Sequence, residues 1–127
     1  MTPADHAALS AQLALALGWR IVDVVEVTDY EQVHVGWDCV VYLPNGMPKR
    51  FDYRDPSVAL PVLEWLMREH GCRPMPWGNN LSIVGCTGNV IAETDTLHEA
   101  IARAAIAVAD EKRQRVEQNE AREVLQP

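Results

Sequence analysis

The sequence predicts an α+β domain with a mostly antiparallel sheet and helices on its faces. Three observations carry this. Two separate stretches of apolar residues at helical spacing begin with a cap. A third such stretch, Leu97–Val108, follows a run of short β-rich segments. Those segments are divided by strong turn signals at Pro44-Asn45-Gly46, Asn79-Asn80 and Gly88-Asn89. The expected order is α-β-β-β-β-α-β-β-β-α.

The last helix is the clearest. Thr96 is a suitable N-cap, and Glu99 stands three residues later to complete a capping box. Leu97, Ile101, Ala104, Ala105 and Val108 make one apolar stripe, rich enough in alanine for close approach to a sheet. Upstream, Cys72–Trp77, Leu81–Cys86 and Val90–Glu93 read as a meander. Pro74 and Pro76 lack the N–H that a central strand donates, which places the first of these at an edge.

At the other end, Thr2-Pro3-Ala4-Asp5 is a helix start with Thr as N-cap and Pro at the first position. Leu9, Leu13, Ala16 and Leu17 form its apolar face, Gly18 stops it, and His6 is expected to be exposed. Four strands should follow: Trp19–Val27, Tyr30–Val35 broken by Gly36, Trp37–Leu43, and Met47–Tyr53 with Phe51 and Tyr53 on one face. Asp55-Pro56 opens the middle helix, which Gly71 ends. Pro61 within it predicts either a 3₁₀ turn before a helix from Pro61 or a single kinked helix.

The 127 residues fit one domain over 1–109, with a charged helical extension or tail over 110–127. Val116 is the residue in that tail that would continue an apolar seam to a second subunit, and a homodimer is the assembly it suggests. A net charge of −7 argues against direct nucleic-acid binding and suits solubility or a partner that is itself basic. No apolar run is long enough to span a bilayer, and no secretory signal is expected. Cys39, Cys72 and Cys86 are an odd count without a CxxC pair, which suggests reduced, buried thiols and a cytoplasmic location.

The order of elements resembles the phage ABA-sandwich domain family, small proteins of phages and prophages. The residues that carry the resemblance are the Leu17-Gly18-Trp19-Arg20 junction, Pro44-Asn45-Gly46 before Phe51-Asp52-Tyr53, the helix from Asp55 to Gly71, and Asp95-Thr96-Leu97 before Ala100-Ile101-Ala102-Arg103-Ala104-Ala105. It covers about the first 109 residues; Pro61, the apolar strands around Val22–Val35 and the longer charged tail depart from the family pattern. The resemblance implies a sheet layered between helices and a phage origin, hence a bacterial host, and it implies no particular activity.

Each candidate site has a plain structural role beside its functional one. Trp77 with Asn79 and Asn80 offers an aromatic and two amides on a turn, and Arg73 lies nearby in sequence; together they suit a planar, nucleotide-like ligand, or they merely shape the turn. Arg50 and Arg54 flank a strand end next to a helix start, a place for an anion, or they solvate the loop. His70, Cys72 and Cys86 fall one ligand short of a structural zinc set. Cys39 or Cys86 with His34 or His98 would make a nucleophile pair only if the fold brought them together. Neither a catalytic residue, a metal nor a cofactor is expected. The leading expectation is therefore a non-enzymatic phage or prophage accessory protein that binds a host macromolecule, possibly for counter-defence. A small-ligand sponge for a nucleotide signal is the alternative, and a Cys- or carboxylate-centred enzyme the third.

Overall fold

A computed structural model describes residues 2–125, with backbone only at positions 77, 124 and 125. The elements are α1 (Pro3–Ala16), β1 (Val22–Thr28), β2 (His34–Tyr42), β3 (Pro48–Arg50), α2 (Pro56–His70), β4 (Arg73–Trp77), β5 (Asn80–Val84), β6 (Val90–Thr94) and α3 (Leu97–Leu125). The class is α+β. The strands form two three-stranded antiparallel sheets, ordered β1-β2-β3 and β4-β5-β6. The first half thus holds three strands where the sequence suggested four. Gly36 does not break a strand: it sits inside β2 opposite Val27, so His34–Tyr42 runs unbroken and 29–33 becomes the connecting loop. Asp29 organises that loop, its Oδ1 accepting from the Glu31 and Val33 N–H groups, as aspartate does in turns.

Both caps at the chain's first half form as the residue types require. The Thr2 hydroxyl accepts from the Asp5 N–H at 3.2 Å while the Asp5 carboxylate accepts from the Thr2 N–H at 2.9 Å, a reciprocal capping box. Asp55 caps α2 through the Ser57 N–H, and Gly71 ends it at φ 64°, the left-handed conformation that favours glycine. α2 is one continuous helix through Pro61. The carbonyl that Pro61 leaves without an intrahelical donor belongs to exposed Ser57, where water can serve it. At α3 the Ala100 N–H bonds the Thr96 carbonyl, which makes Thr96 the cap position. Glu99 instead pairs with Arg103 at 3.0 Å, one turn on, so the expected reciprocal box is replaced by a side-chain ion pair.

α3 is the element against which the others are placed. α1, α2, β5 and β6 all pack on its first half. Its Ala100, Ala102, Ala104 and Ala105 have no exposed surface, and Ile101 is buried with them. Alanines on more than one side of a helix let neighbours approach its backbone closely from several directions. α1 joins the two halves: Leu9 and Leu13 are buried, and the helix packs on β2 on one side and α3 on the other. Cys39, Val41, Phe51, Tyr53, Val62, Leu66 and Ile83 fill the remaining core. Leu17, expected in the apolar face of α1, is exposed, and so is Met67 near the end of α2. Beyond residue 109, α3 runs on as solvated helix, carrying the Arg113–Asp110 and Arg115–Glu111 pairs.

The close packing on α3 makes a direct prediction. Ala104→Leu has no room to accept, and such overpacking costs about 1–3 kcal/mol. Urea unfolding should show a lower midpoint with an unchanged slope; an unchanged midpoint would mean that α3 is not closely enclosed.

Candidate functional site

The residues singled out in sequence fall into two places. Arg50 and Arg54 lie together at the end of β3. Arg54 donates to Asp52 from both Nε and Nη2 at 3.0 Å, and Arg50 reaches Asp38 at 3.3 Å and Asp52 at 3.7 Å. Two carboxylates therefore already compensate these guanidinium groups. Burial pulls the Asp52 carboxyl upward, but the bonds and charge of Arg54 and Arg50 outweigh it and hold it below the usual aspartate value. Trp77, Asn79 and Asn80 belong to the β4–β5 hairpin, whose two-residue loop is Gly78-Asn79. Trp77 pairs with Asn80 by backbone, and its side chain lies outside the described residues. Asn80 reaches Glu93 at 3.4 Å. Arg73 stands at the other end of β4, four residues from Trp77 and so about 13 Å along the strand. The hairpin does not bring Arg73 together with the loop amides.

Next to the arginines the fold assembles a cluster that sequence spacing could not show. Tyr53 is almost wholly buried, and its hydroxyl hydrogen-bonds His6 Nδ1. The His6 and His98 rings lie 5.7 and 5.6 Å from the Tyr53 ring. The buried Ser10 hydroxyl accepts the Tyr53 N–H at 3.0 Å. His6 is thus half-buried and not exposed as expected, because α1 is laid directly over Tyr53. Desolvation, with the nearby Arg54 charge, holds its imidazole below the ordinary 6.5. The crevice beside this cluster measures about 10 Å³, which is room for one water at most, so it is a structural junction and not a ligand pocket.

The cysteines are split. Cys39 is buried, and desolvation pushes its thiol up to about 11, which leaves it without thiolate character. Cys72 is buried and raised likewise. Cys86, expected at the end of a strand, is exposed: β5 stops at Val84 and the Gly85–Asn89 turn carries the thiol outward. His34 is engaged by Glu26 at 2.8 Å. Among the described residues no group of three or more His, Cys, Asp or Glu side chains is placed to hold a metal ion.

The β1–β2 ribbon carries exposed apolar surface. Its base is closed by α1 over Cys39 and Val41, but its distal part extends beyond the helix. There Val33, Val35 and Trp37 are 54%, 61% and 39% exposed. β1 is an edge strand, and among the described residues nothing pairs with its outer side. The ladder settles which groups that side offers. The Tyr42 N–H bonds the Ile21 carbonyl, and the Phe51 N–H bonds the Cys39 carbonyl. Antiparallel pairs alternate, so Asp23, Val25 and Val27 direct their backbone groups to β2, while Val22, Val24 and Glu26 direct theirs to the open edge. Sequence reading identified β1 through its valines; its being an edge depends on pairing that sequence does not display.

Compared with protein-family models, with characterised proteins and with solved structures, the chain matches none.

Two predictions follow from the Tyr53 junction. Ser10→Ala leaves the buried Tyr53 N–H without an acceptor and should cost about 1–3 kcal/mol in chemical denaturation. His6 binds a proton less readily folded than unfolded, so stability is full above 6.5 and declines as the pH falls below it toward the folded value. His6→Asn, which keeps a hydrogen-bond acceptor near the Tyr53 hydroxyl, should flatten that decline; equal pH slopes for both proteins would remove His6 as its source.

Proposed function

We propose that this protein acts by binding, as a phage or prophage accessory protein in the bacterial cytoplasm, and that it captures an extended segment of a host protein on the open edge of β1. The observation that supports the reading most is the seven-residue β1 edge, with three residues directing their backbone groups outward and exposed apolar side chains beside it. An unpaired strand of this kind is a template for strand addition, in which main-chain bonds give affinity and alternate side chains give selectivity. Natural folds usually blunt such edges with lysine, proline or very short strands. β1 has none of these: its sequence is Val-Asp-Val-Val-Glu-Val-Thr.

The charge on the strand specifies the partner further. Asp23 and Glu26 are its only charged residues, and the whole chain carries −7. Lysine or arginine on the incoming strand would form cross-strand pairs with them, and a basic segment would be drawn by the overall field. The expected segment alternates apolar with basic residues.

Proline substitution separates edge recognition from folding. Val24→Pro removes an outward N–H and leaves every bond to β2 in place, so the protein should stay folded. Val25→Pro removes a ladder donor and should lower stability by about 1 kcal/mol or more. Peptides selected from a random library on the wild-type protein should alternate apolar and basic residues and should bind Val24→Pro at least about tenfold more weakly, a loss of one or two main-chain bonds. Rising salt should weaken them as well. Undiminished binding of such peptides to a folded Val24→Pro protein would overturn the proposal.

A further inference from the structure

A cleft of about 760 Å³ opens on a different part of the molecule, between the end of α2, the Gly85–Asn89 turn and the middle of α3. Its size is that of a small-molecule site. It shares no element with the β1 edge. Its walls grade from apolar to charged. Trp65, Ile91 and Val108 line the inner part, and all three pack against the hydrophobic core. Along α3, Val108 is followed on the same face by Glu111, Lys112 and Arg115, so the lining turns cationic over about 10 Å of helix.

The rim's two acids, Glu69 and Glu111, and two cations, Lys112 and Arg115, are equal in number but unevenly engaged. An arginine engages each acid: Arg68 bonds Glu69 at 3.2 Å, and Arg115 bonds Glu111 at 2.6 Å. Lys112 has no carboxylate within ion-pair distance among the described residues. The guanidinium of Arg115 keeps donors beyond the one given to Glu111. The opposite wall is the C-terminal end of α2, whose carbonyls repel an anion. A negative group is thereby directed to the α3 rim, and the ring that carries it to the Trp65 side. Trp65 already holds the His70 ring edge-on at 4.8 Å, which fixes the indole for a further aromatic contact.

We propose that this cleft binds a nucleoside monophosphate or a ligand of that chemistry: a planar heteroaromatic ring against Trp65, Ile91 and Val108, and a phosphate on Lys112 and Arg115. The sequence suggested other residues for a nucleotide, Trp77, Asn79, Asn80 and Arg73; of these Arg73 adjoins the lining residue Cys72 along the chain without lining the cleft itself.

Calorimetric titration of the full chain with adenosine monophosphate, adenosine and inorganic phosphate tests the assignment. The monophosphate should bind, and each fragment alone should bind at least about tenfold more weakly, since ring and anion contribute separately. Lys112→Glu, a change on an exposed helix surface, should weaken the monophosphate by about tenfold or more, whereas Lys49→Glu on β3 should not. In NMR spectra the Trp65 indole signal, assigned with Trp65→Phe, should move on titration with the monophosphate. Absence of binding at millimolar monophosphate would overturn the proposal, as would equal affinity of the wild type and Lys112→Glu or an unmoved Trp65 signal in the bound state. None of these results bears on the β1 edge, because Val24 and Lys112 are on separate elements.

Discussion

The constraint on which the rest of this fold depends is the closeness with which neighbours approach the first half of α3. Four alanines there are fully enclosed, and a larger side chain at any of them would push a neighbouring element outward. Because α1 and the β4-β5-β6 sheet both rest on α3, the position of the first sheet is also set indirectly through α1. Tyr53 sits where these elements meet. Its N–H is held by Ser10 of α1, its hydroxyl by His6 of the same helix, and its ring faces His98 in the first turn of α3. One buried tyrosine thus fastens the 51–55 loop to both helices, and the polar cluster around it is explained by that duty.

The same packing accounts for what is left open. α1 is fourteen residues long, so it covers only the base of the nine-residue β2 and its partner. The distal ribbon extends past the helix, and its apolar residues remain in solvent. The first sheet ends at β1 because no further strand follows on that side. Elsewhere, α2 stops at Gly71 while α3 continues, and the cleft lies between the end of α2 and the middle of α3. Both proposed binding surfaces arise where one element outruns its neighbour.

Much of the fold was legible in the sequence because its signals are local. Thr2 with Asp5, Asp55 with Pro56, and Gly71 each act within one helical turn, and the structure uses each as read. The two prolines of β4 placed it at an edge, where it lies. The misreadings involve competition between local and distant effects. Gly36 has a breaker's chemistry, yet pairing with Val27 keeps it in the strand. Cys86 has a core residue's chemistry, yet the Gly85–Asn89 turn carries it outward. The candidate surfaces were the least legible part. Trp65 is more than forty residues from Lys112 and Arg115, and all three look like ordinary helix positions. The open edge of β1 is defined by a missing partner, which no local pattern can encode.

The exposed half of α3 has a consequence for how the molecule responds to its surroundings. From Asp110 to Glu123 every residue of the helix is exposed, and its helicity rests largely on backbone propensity and on pairs such as Arg113–Asp110 and Arg115–Glu111. Such pairs weaken with salt, whereas the enclosed alanines are indifferent to it. The element therefore joins two materials end to end, a rigid stem and an ion-sensitive rod, with the seam near Val108. Ionic strength can fray the rod turn by turn while the domain beneath stays intact, which makes the far end of this helix a gauge of its electrolyte.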